Sequence, residues 1–225
     1  MPDLSFEIIA ANPVRDMVTP ALAFDVRVTN RFPEQSIQAV LLRCQIQIEV
    51  ARRRYSPAEQ DQLRELFDDP SRWGDTLRPM TWMTTSVNLP AFSGSTVYPI
   101  TVPCTFDFTV ASAKYFHGIA DGEVPLTFLF SGSVFYDAGQ GALQVAPISW
   151  NKEARFRFPV QVWKSLMDLH YPNVVCLNLR RDVFDELYRF KMSEGVTTLE
   201  EAIQHMLAAA KRESSVSAER ECPAS

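Results

Sequence analysis

Alternation of apolar and polar residues is the main pattern in the first 160 positions. The longest run extends from Val40 to Val50, where every second residue is apolar and the intervening positions include Arg43, Gln45 and Glu49. Successive side chains of a strand point to opposite faces, so this run predicts a long strand with one solvent-exposed face. Shorter runs of the same period predict strands at residues 4–8, 22–28, 83–89, 98–102, 106–110, 124–130 and 154–158.

Turn-forming sequences such as FPEQ, PAFSGS, ADGE and DAGQG separate these runs. Eight strands that each have one apolar face need a common core, which favours antiparallel sheets packed as a sandwich. The tetrapeptide FSGS occurs at Phe92–Ser95 and again at Phe130–Ser133. The match does not extend further, so we interpret it as chance or as two similar strand ends and not as an internal repeat.

One helix is expected between the strands. Ser56-Pro57-Ala58-Glu59 is a capping box with proline at the first helical position, and Leu63, Leu66 and Phe67 follow at helical spacing. These residues predict a short amphipathic helix over 57–67. The sequence DDPSRWGDTLRPMTW that follows has turn residues and no periodicity, and it is predicted to be an ordered loop.

The hydrophobic period changes at Pro159, and apolar residues then recur at helical spacing up to Pro172-Asn173. An extended piece over 174–179 precedes a helix with Asp182 as its N-cap, and Gly195 ends that helix. A second capping box, Thr197 with Glu200 or Thr198 with Glu201, begins the last helix. The sequence therefore predicts an α+β fold, with an antiparallel β-sandwich over 1–158, a helical C-terminal part over 159–211 and a disordered tail over 212–225.

Composition and charge narrow the classes of function. The 225 residues are 46% hydrophobic and 22% charged, which are ordinary values for a globular protein. A formal net charge of −5 gives no overall attraction to nucleic acid or an anionic membrane. The N-terminal sequence MPDLSFEIIAANP has no basic region, and no apolar stretch is long enough to span a bilayer, so a cytoplasmic location without membrane insertion is expected.

Residues that could carry chemistry are sparse. The four cysteines form no CxxC pair, and Cys44 and Cys104 fall in predicted strands as core residues. The sequence contains no Gly-x-Ser-x-Gly motif and no phosphate-binding glycine loop. The best local set of metal-ligating types is His117, Asp121 and Glu123, although a strand end and an Asp-Gly turn explain it more simply. We therefore expect no catalytic residue, metal or cofactor, and predict a non-enzymatic protein.

Two groups of residues are candidates for binding a protein partner. Arg52, Arg53 and Arg54 precede Tyr55 at the end of the longest strand and could bind a phosphate or an acidic partner, although charges beyond a strand end are usually only solvated. Arginine and tryptophan are also enriched at interface hot spots, and the loop after the inserted helix contains both. The second group is Arg72, Trp73, Arg78 and Trp82. A tryptophan in such a loop can instead close the open end of a sandwich.

A different function is suggested by the C-terminal segment VVCLNLRRDVFDELYRFKMSEGVTTLEEAIQHMLAAA. Its order of strand, helix, turn and capped helix resembles a ribbon-helix-helix module, in which Asn178 and Arg180 would face DNA bases and the strands at Val174–Leu179 would pair two chains. The acidic net charge, the single copy of the motif and the large preceding domain argue against this. The alternative is a helical hairpin packed on the sandwich.

Several motifs together resemble an uncharacterised bacterial family that is commonly encoded beside high-affinity, oxygen-tolerant [NiFe] hydrogenases. They are LRCQIQIE with RRRY, RWGDTLRP, VPCTFDFTVASAKYFHG with DGEVPLTFLFSGSVF, WNKEARFRFPVQVWKSLMDLHYPN and LRRDVFDELYRFK. The resemblance extends to about Leu207. It implies a role accessory to hydrogenase assembly or operation, but it supplies no catalytic residues. Because the chain has no CxxC pair, that resemblance implies a partner of the hydrogenase and not the enzyme itself.

Overall fold

The structure is a computed structural model that describes residues 1–105, 110–137, 142–172, 174 and 179–220. The chain divides into two compact units, Met1–Val174 and Val175–Ser225. The first unit contains all of the described strands, and the second contains two helices. The division therefore falls after Val174 and not at residue 158, where the change of hydrophobic period had suggested it.

Two antiparallel sheets form the first unit, as the alternation predicts. One sheet has the order β1-β2-β5, and the other has the order β4-β3-β6-β7 with β8 also paired to β6. The strands of the first sheet are β1 (Leu4–Pro13), β2 (Ala21–Asn30) and β5 (Ser95–Pro103). Those of the second are β3 (Ile37–Ile48), β4 (Met80–Leu89), β6 (Glu123–Asp137), β7 (Leu143–Pro147) and β8 (Glu153–Pro159). The predicted α+β fold with sandwich-like sheets is confirmed.

The core lies between the inner faces of the two sheets. The ring of Phe24 on β2 meets that of Phe128 on β6 edge to face, with centroids 5.1 Å apart. Phe6 on β1 stacks on Phe130 of β6 at 4.2 Å. Cys44 and Cys104 are buried in this core, as predicted, and burial raises the pKa of each thiol to about 12. Both thiols therefore stay protonated and serve as small apolar side chains.

The helix predicted at 57–67 forms as α1 (Pro57–Phe67), and its capping box is complete. The Ser56 Oγ accepts a hydrogen bond from the Glu59 N–H at 3.3 Å, and the Glu59 carboxylate accepts one from the Ser56 N–H at 2.9 Å. The predicted ordered loop contains a 3-10 turn (Pro70–Arg72) and the short helix α2 (Trp73–Thr76). It connects α1 to β4.

Residues 113–118, expected to be the exit of a strand, form a helix instead. This helix, α3 (Val110–Gly118), buries Tyr115, Phe116 and, just after its end, Ile119, all at 0% exposure. Their spacing of one, three and four residues suits one face of a helix and not one face of a strand. The strand predicted at 106–110 lies mostly outside the described residues, and Val110 begins the helix.

The helix predicted after Pro159 forms as α4 (Val160–His170), but it belongs to the first unit. Trp163 is 5% exposed, and its ring stacks on Phe116 with centroids 5.5 Å apart. Leu166 is fully buried beside the same core. Packing against the sandwich therefore places α4 in the first unit. The change of hydrophobic period predicts the helix but does not predict this contact.

The second unit is a helical hairpin of α5 (Arg181–Glu194) and α6 (Leu199–Arg220). Gly195 ends α5 in the left-handed conformation with φ of +69°, as expected of a glycine C-cap. The second capping box uses Thr198 and Glu201, whose backbone N–H groups each donate to the other's side chain at 3.1 Å.

Two expectations for this unit need revision, and a third falls mostly outside the described residues. Arg180 precedes α5, so Asp182 lies inside the first turn and is not the N-cap. The tail predicted to be disordered from Arg212 instead continues α6 to Arg220. Of the predicted extended piece at 174–179, only Val174 and Leu179 fall within the described residues.

Candidate protein-binding surfaces

Arg53, one of the predicted partner-binding residues, forms a buried ion pair. Its guanidinium donates two hydrogen bonds to Glu59, at 2.9 and 3.2 Å, and the two side chains are only 11% and 7% exposed. The same guanidinium donates to the backbone carbonyls of Asp121 at 2.6 Å and Glu123 at 3.2 Å. Arg53 therefore joins the segment after β3 to α1 and to the turn before β6, and it is not available to a partner.

Glu59 completes this buried network. Burial by itself would raise the pKa of Glu59, but hydrogen bonds from Arg53 and from the backbone N–H groups of Ser56 and Ala120 outweigh it and lower the pKa. Beside the ion pair, the Tyr55 hydroxyl donates to the Val50 carbonyl at 2.7 Å, and it lies 3.0 Å from the hydroxyl of Tyr115. The hydrogen-bonding capacity of these buried polar groups is thus used within the fold.

The set of His117, Asp121 and Glu123 does not converge into a metal site. His117 is exposed on α3, and the Asp121 carboxylate accepts hydrogen bonds from the Gln161 side chain at 3.1 Å and from the Gly122 N–H, which lower its pKa. Across the part of the chain that the structure describes, no three His, Cys, Asp or Glu side chains are grouped as metal ligands. The Asp121-Gly122 turn, with φ of +90° at the glycine, instead presents its backbone to Arg53.

Both tryptophans of the predicted Arg/Trp group lie in the interior. Trp82 is 4% exposed and packs between Phe116, at 4.9 Å, and Phe158, at 5.9 Å between ring centroids. Trp73 is 8% exposed, and its indole N–H donates to the Asp68 carbonyl at 3.0 Å. Both indoles belong to the buried core, as in the alternative interpretation, in which such a tryptophan packs inside the sandwich.

Replacing Trp73 with Phe should lower the free energy of unfolding by about 1–2 kcal/mol, because the buried hydrogen bond to the Asp68 carbonyl is lost while most of the ring packing remains. Replacing the exposed Arg78 with Ala should change it by less than about 0.5 kcal/mol. Urea denaturation of both variants checks this. An unchanged midpoint for the Trp73→Phe variant would show that the hydrogen bond to the Asp68 carbonyl does not stabilise the fold.

A groove of about 330 Å³ lies on the outer face of the five-stranded sheet. Its rim carries Arg52, which follows β3, and Arg155 and Arg157, which alternate along β8; their side chains are 54%, 65% and 77% exposed. We call these three residues and the groove that they surround the arginine groove. It therefore combines one predicted residue, Arg52, with two arginines from a distant segment.

The floor of the arginine groove is formed by Glu49 and β6. The Thr127 hydroxyl donates to the Glu49 carboxylate at 2.8 Å, and Arg52 lies 3.5 Å from the same carboxylate. In the sheet, Thr127 is opposite Arg155, and Pro125 is opposite Arg157. The pairing register of β6 and β8 thus places both arginines over one side of the floor.

Arg155 and Arg157 were not among the residues singled out in the sequence. The pattern EARFRFP predicts a strand because Ala154, Phe156 and Phe158 alternate, and this prediction uses only the apolar residues. The same alternation puts both arginines on the opposite, solvent-exposed face of β8, two residues apart and therefore roughly 7 Å from each other along the strand. The sequence is therefore enough to place Arg155 and Arg157 on the same exposed face. It does not show that Arg52 lies beside them.

The remaining predicted arginines are exposed but belong to other parts of the surface. Arg72 forms an ion pair with Asp68 within the loop after α1, and Arg54 and Arg78 are also exposed. Of the residues proposed to contact DNA, Asn178 lies outside the described residues, and Arg180 forms an ion pair with Asp182 at 2.8 Å. The DNA-binding interpretation stays a prediction.

The fold defines a β-sandwich protein that carries a helical hairpin. Residues 1–215 match the model of a family described as "Family of unknown function (DUF6084)", and the chain belongs to that family. The description gives no activity, and the link to hydrogenases stays a prediction. Among curated proteins, none matches the chain.

Two solved structures show a distant likeness to this chain. A protein described as late embryogenesis abundant, solved in solution, is 14% identical with a TM-score of 0.31, and the match covers 71% of this chain and 73% of that one. The CARDB domain of a Pyrococcus furiosus protein in complex with di-metal ions is 12% identical with a TM-score of 0.27, and the match covers 70% and 87% of the two chains. Scores this low carry no argument about function.

Within the described residues, no helix has the length and apolarity needed to cross a membrane.

Proposed function

We propose that this chain is a non-enzymatic accessory protein that binds an acidic segment of a partner protein in the arginine groove. The observation that carries the proposal is the arrangement of Arg52, Arg155 and Arg157 around one groove, although they come from segments about 100 residues apart. Arginine presents a planar fork of donors that suits carboxylates, and it is enriched at interface hot spots.

The arginines of the groove can exchange their present partners at little cost. Arg155 pairs with Glu153 at 3.0 Å, and Arg157 lies 3.7 Å from Glu123. Exposed ion pairs of this kind contribute only about 0–1 kcal/mol, so a bidentate contact with a partner's carboxylate can replace them. The floor keeps its own hydrogen bond between Thr127 and Glu49.

The identity of the partner is proposed from the family resemblance. It suggests a component of a [NiFe] hydrogenase system, which this chain would help to assemble or operate in the cytoplasm. The proposal gives the buried polar groups around Arg53 and Glu59 no part in a reaction, because their hydrogen bonds are used to stabilise the fold. We therefore assign no catalytic residue, metal or cofactor to the chain.

Replacing Arg52, Arg155 and Arg157 together with Gln should reduce the amount of partner that co-purifies at least tenfold, since several charge-assisted contacts are lost at once. The measurement is affinity purification from the native host followed by quantitative mass spectrometry. The melting temperature should stay within a few degrees of the wild-type value, because all three side chains are exposed.

The matched control replaces Arg54, Arg72 and Arg78 with Gln, which changes the net charge by the same amount on other exposed parts of the same unit. This control should retain the partner. If the control loses the partner and the groove variant keeps it, the interface is the loop predicted from the sequence and the arginine groove is not the site. Retention by both variants would also contradict the proposal.

A further inference from the structure

The helical hairpin leaves much of its apolar surface open. Val183, Leu187 and Phe190 recur at spacings of three and four residues on α5, and Ile203, Met206 and Leu207 do so on α6. These six residues line a single groove of about 590 Å³, which we call the hairpin groove. Val183 is 41% exposed, Met206 47% and Leu207 56%.

Two helices by themselves do not form a closed core. Among the described residues of the second unit, only Leu187 on α5 and Ala202 on α6 are buried. Helical stability in proteins comes mainly from packing an apolar face against other elements. A second hairpin laid across the groove would complete a four-helix bundle, whose core consists of residues at this spacing.

The charges along α6 favour a second copy of the same chain as the occupant. The helix begins with Glu200 and Glu201, and Lys211 and Arg212 follow about three turns later. A two-fold axis perpendicular to the helix and close to Met206 makes α6 antiparallel to its copy, so Glu200 and Glu201 of one copy lie opposite Lys211 and Arg212 of the other. A parallel arrangement would place like charges together.

The available area is also sufficient. If the exposed parts of the groove side chains and of the polar residues around them were all covered, two copies would lose on the order of 1,000 Å² of surface, which is the lower limit for a specific interface. We propose that the hairpin is a dimerisation element, in which two copies dock their hairpin grooves about a two-fold axis to form a four-helix bundle.

This proposal is independent of the partner assigned to the arginine groove. A dimer would carry two arginine grooves and could bind a multivalent partner with avidity.

The test is the mass of the full-length chain in solution, measured by sedimentation equilibrium over a range of concentrations. The wild-type chain should have twice its monomer mass of 25.5 kDa. The double variant Met206→Glu with Leu207→Glu should weaken the dimer at least 100-fold, because it places charge in the apolar interface. Both side chains are about half exposed, so the helices should persist, and circular dichroism checks that they do.

A matched control places the same charges on another apolar stripe of the hairpin. Tyr188 is 47% exposed and Met192 64%, and neither lines the hairpin groove. The double variant Tyr188→Glu with Met192→Glu should remain a dimer. A monomeric wild-type chain, a dimer that survives the groove substitutions, or a dimer that only the control disrupts would each overturn the proposal.

Charge reversal tests the antiparallel two-fold arrangement separately. Glu200→Lys and Lys211→Glu should each weaken the dimer several-fold, and the two together should restore it, because each reversed charge then faces its complement in the other copy. Additive weakening in the double variant would overturn the antiparallel arrangement. The arginine-groove variant should remain dimeric, which keeps a failure of this proposal distinct from a failure of the proposed function.

Discussion

Replacing Glu59 with Ala is expected to lower the free energy of unfolding by about 3–5 kcal/mol at pH 7, because it leaves the buried Arg53 guanidinium without its carboxylate. The substitution also removes the acceptor for the backbone N–H groups of Ser56 and Ala120. The expected loss is a large part of the stability of an ordinary domain. Urea denaturation followed by circular dichroism measures it.

The effect should depend on pH in a direction set by the pKa of Glu59, which lies below its ordinary value of 4.5. A carboxyl whose pKa is lower in the folded state stabilises the fold fully above its ordinary pKa, and that stabilisation is lost as the pH falls through the folded value. The wild-type chain and the Glu59→Gln variant should therefore differ in the free energy of unfolding by a constant amount near neutrality. Below about pH 4 this difference should become smaller.

The control for this pair is Arg54→Gln, which removes a neighbouring but exposed charge. It should change stability by less than about 0.5 kcal/mol. A loss below about 1 kcal/mol for Glu59→Ala, or an equal loss for Glu59→Gln at pH 3 and pH 7, would show that the ion pair does not stabilise the fold as argued.

Each part of the Arg53 network is visible in the sequence, but the network is not. The capping box gives a local reason for Glu59, and the Asp121-Gly122 turn is a local signal as well. A basic triplet at a strand end is usually solvated, so no local signal indicates that its middle residue, Arg53, is buried. Only the approach of a turn almost 70 residues away, whose carbonyls accept from Arg53, shows that this arginine is buried.

The sandwich could be predicted because burial on one face of a strand leaves a period of two in the sequence. The same reasoning failed for α3, where the alternating residues just before it suggested that a strand extends into it. It also could not assign α4 to a unit, since the period identifies a helix and not the surface against which Trp163 packs. Only the second of these depends on contacts between distant segments, because the spacing of Tyr115, Phe116 and Ile119 already suits one face of a helix.

The arginine groove shows the same limit for function. The alternation in β8 determines that Arg155 and Arg157 share the outer face, but the position of Arg52 beside them depends on how β3, β6 and β8 pair. The hairpin groove was easier to anticipate in outline, because helical spacing and the glycine C-cap predict two amphipathic helices. What the spacing does not show is how little of that apolar face the hairpin itself covers.

Gly132 in β6 is the second position where a single substitution should have a large effect. It lies opposite Leu42 of β3 with φ of +133°, a conformation that other L-residues rarely adopt. A Cβ atom there would lie 1.9 Å from the Leu41 carbonyl oxygen, which is backbone and cannot rotate away. Replacing Gly132 with Ala should therefore lower the free energy of unfolding by about 4 kcal/mol or more, or prevent folding, as urea denaturation would show.

Substitutions at two other glycines serve as controls, which separate the effect of the steric clash from the effect of the positive φ. Gly74 has open space around it and no positive φ, so Gly74→Ala should be nearly neutral. Gly94, in the other copy of FSGS, has φ of +66° but only an ordinary 3.7 Å contact with Pro33, so Gly94→Ala should cost only about 1 kcal/mol of conformational strain. If Gly132→Ala were no more harmful than Gly94→Ala, β6 would be able to move away from β3, and the close pairing of these two central strands would not be rigid. The tetrapeptide FSGS thus occupies two different environments. Gly132 in the second copy is held against a neighbouring backbone, and Gly94 in the first copy is not.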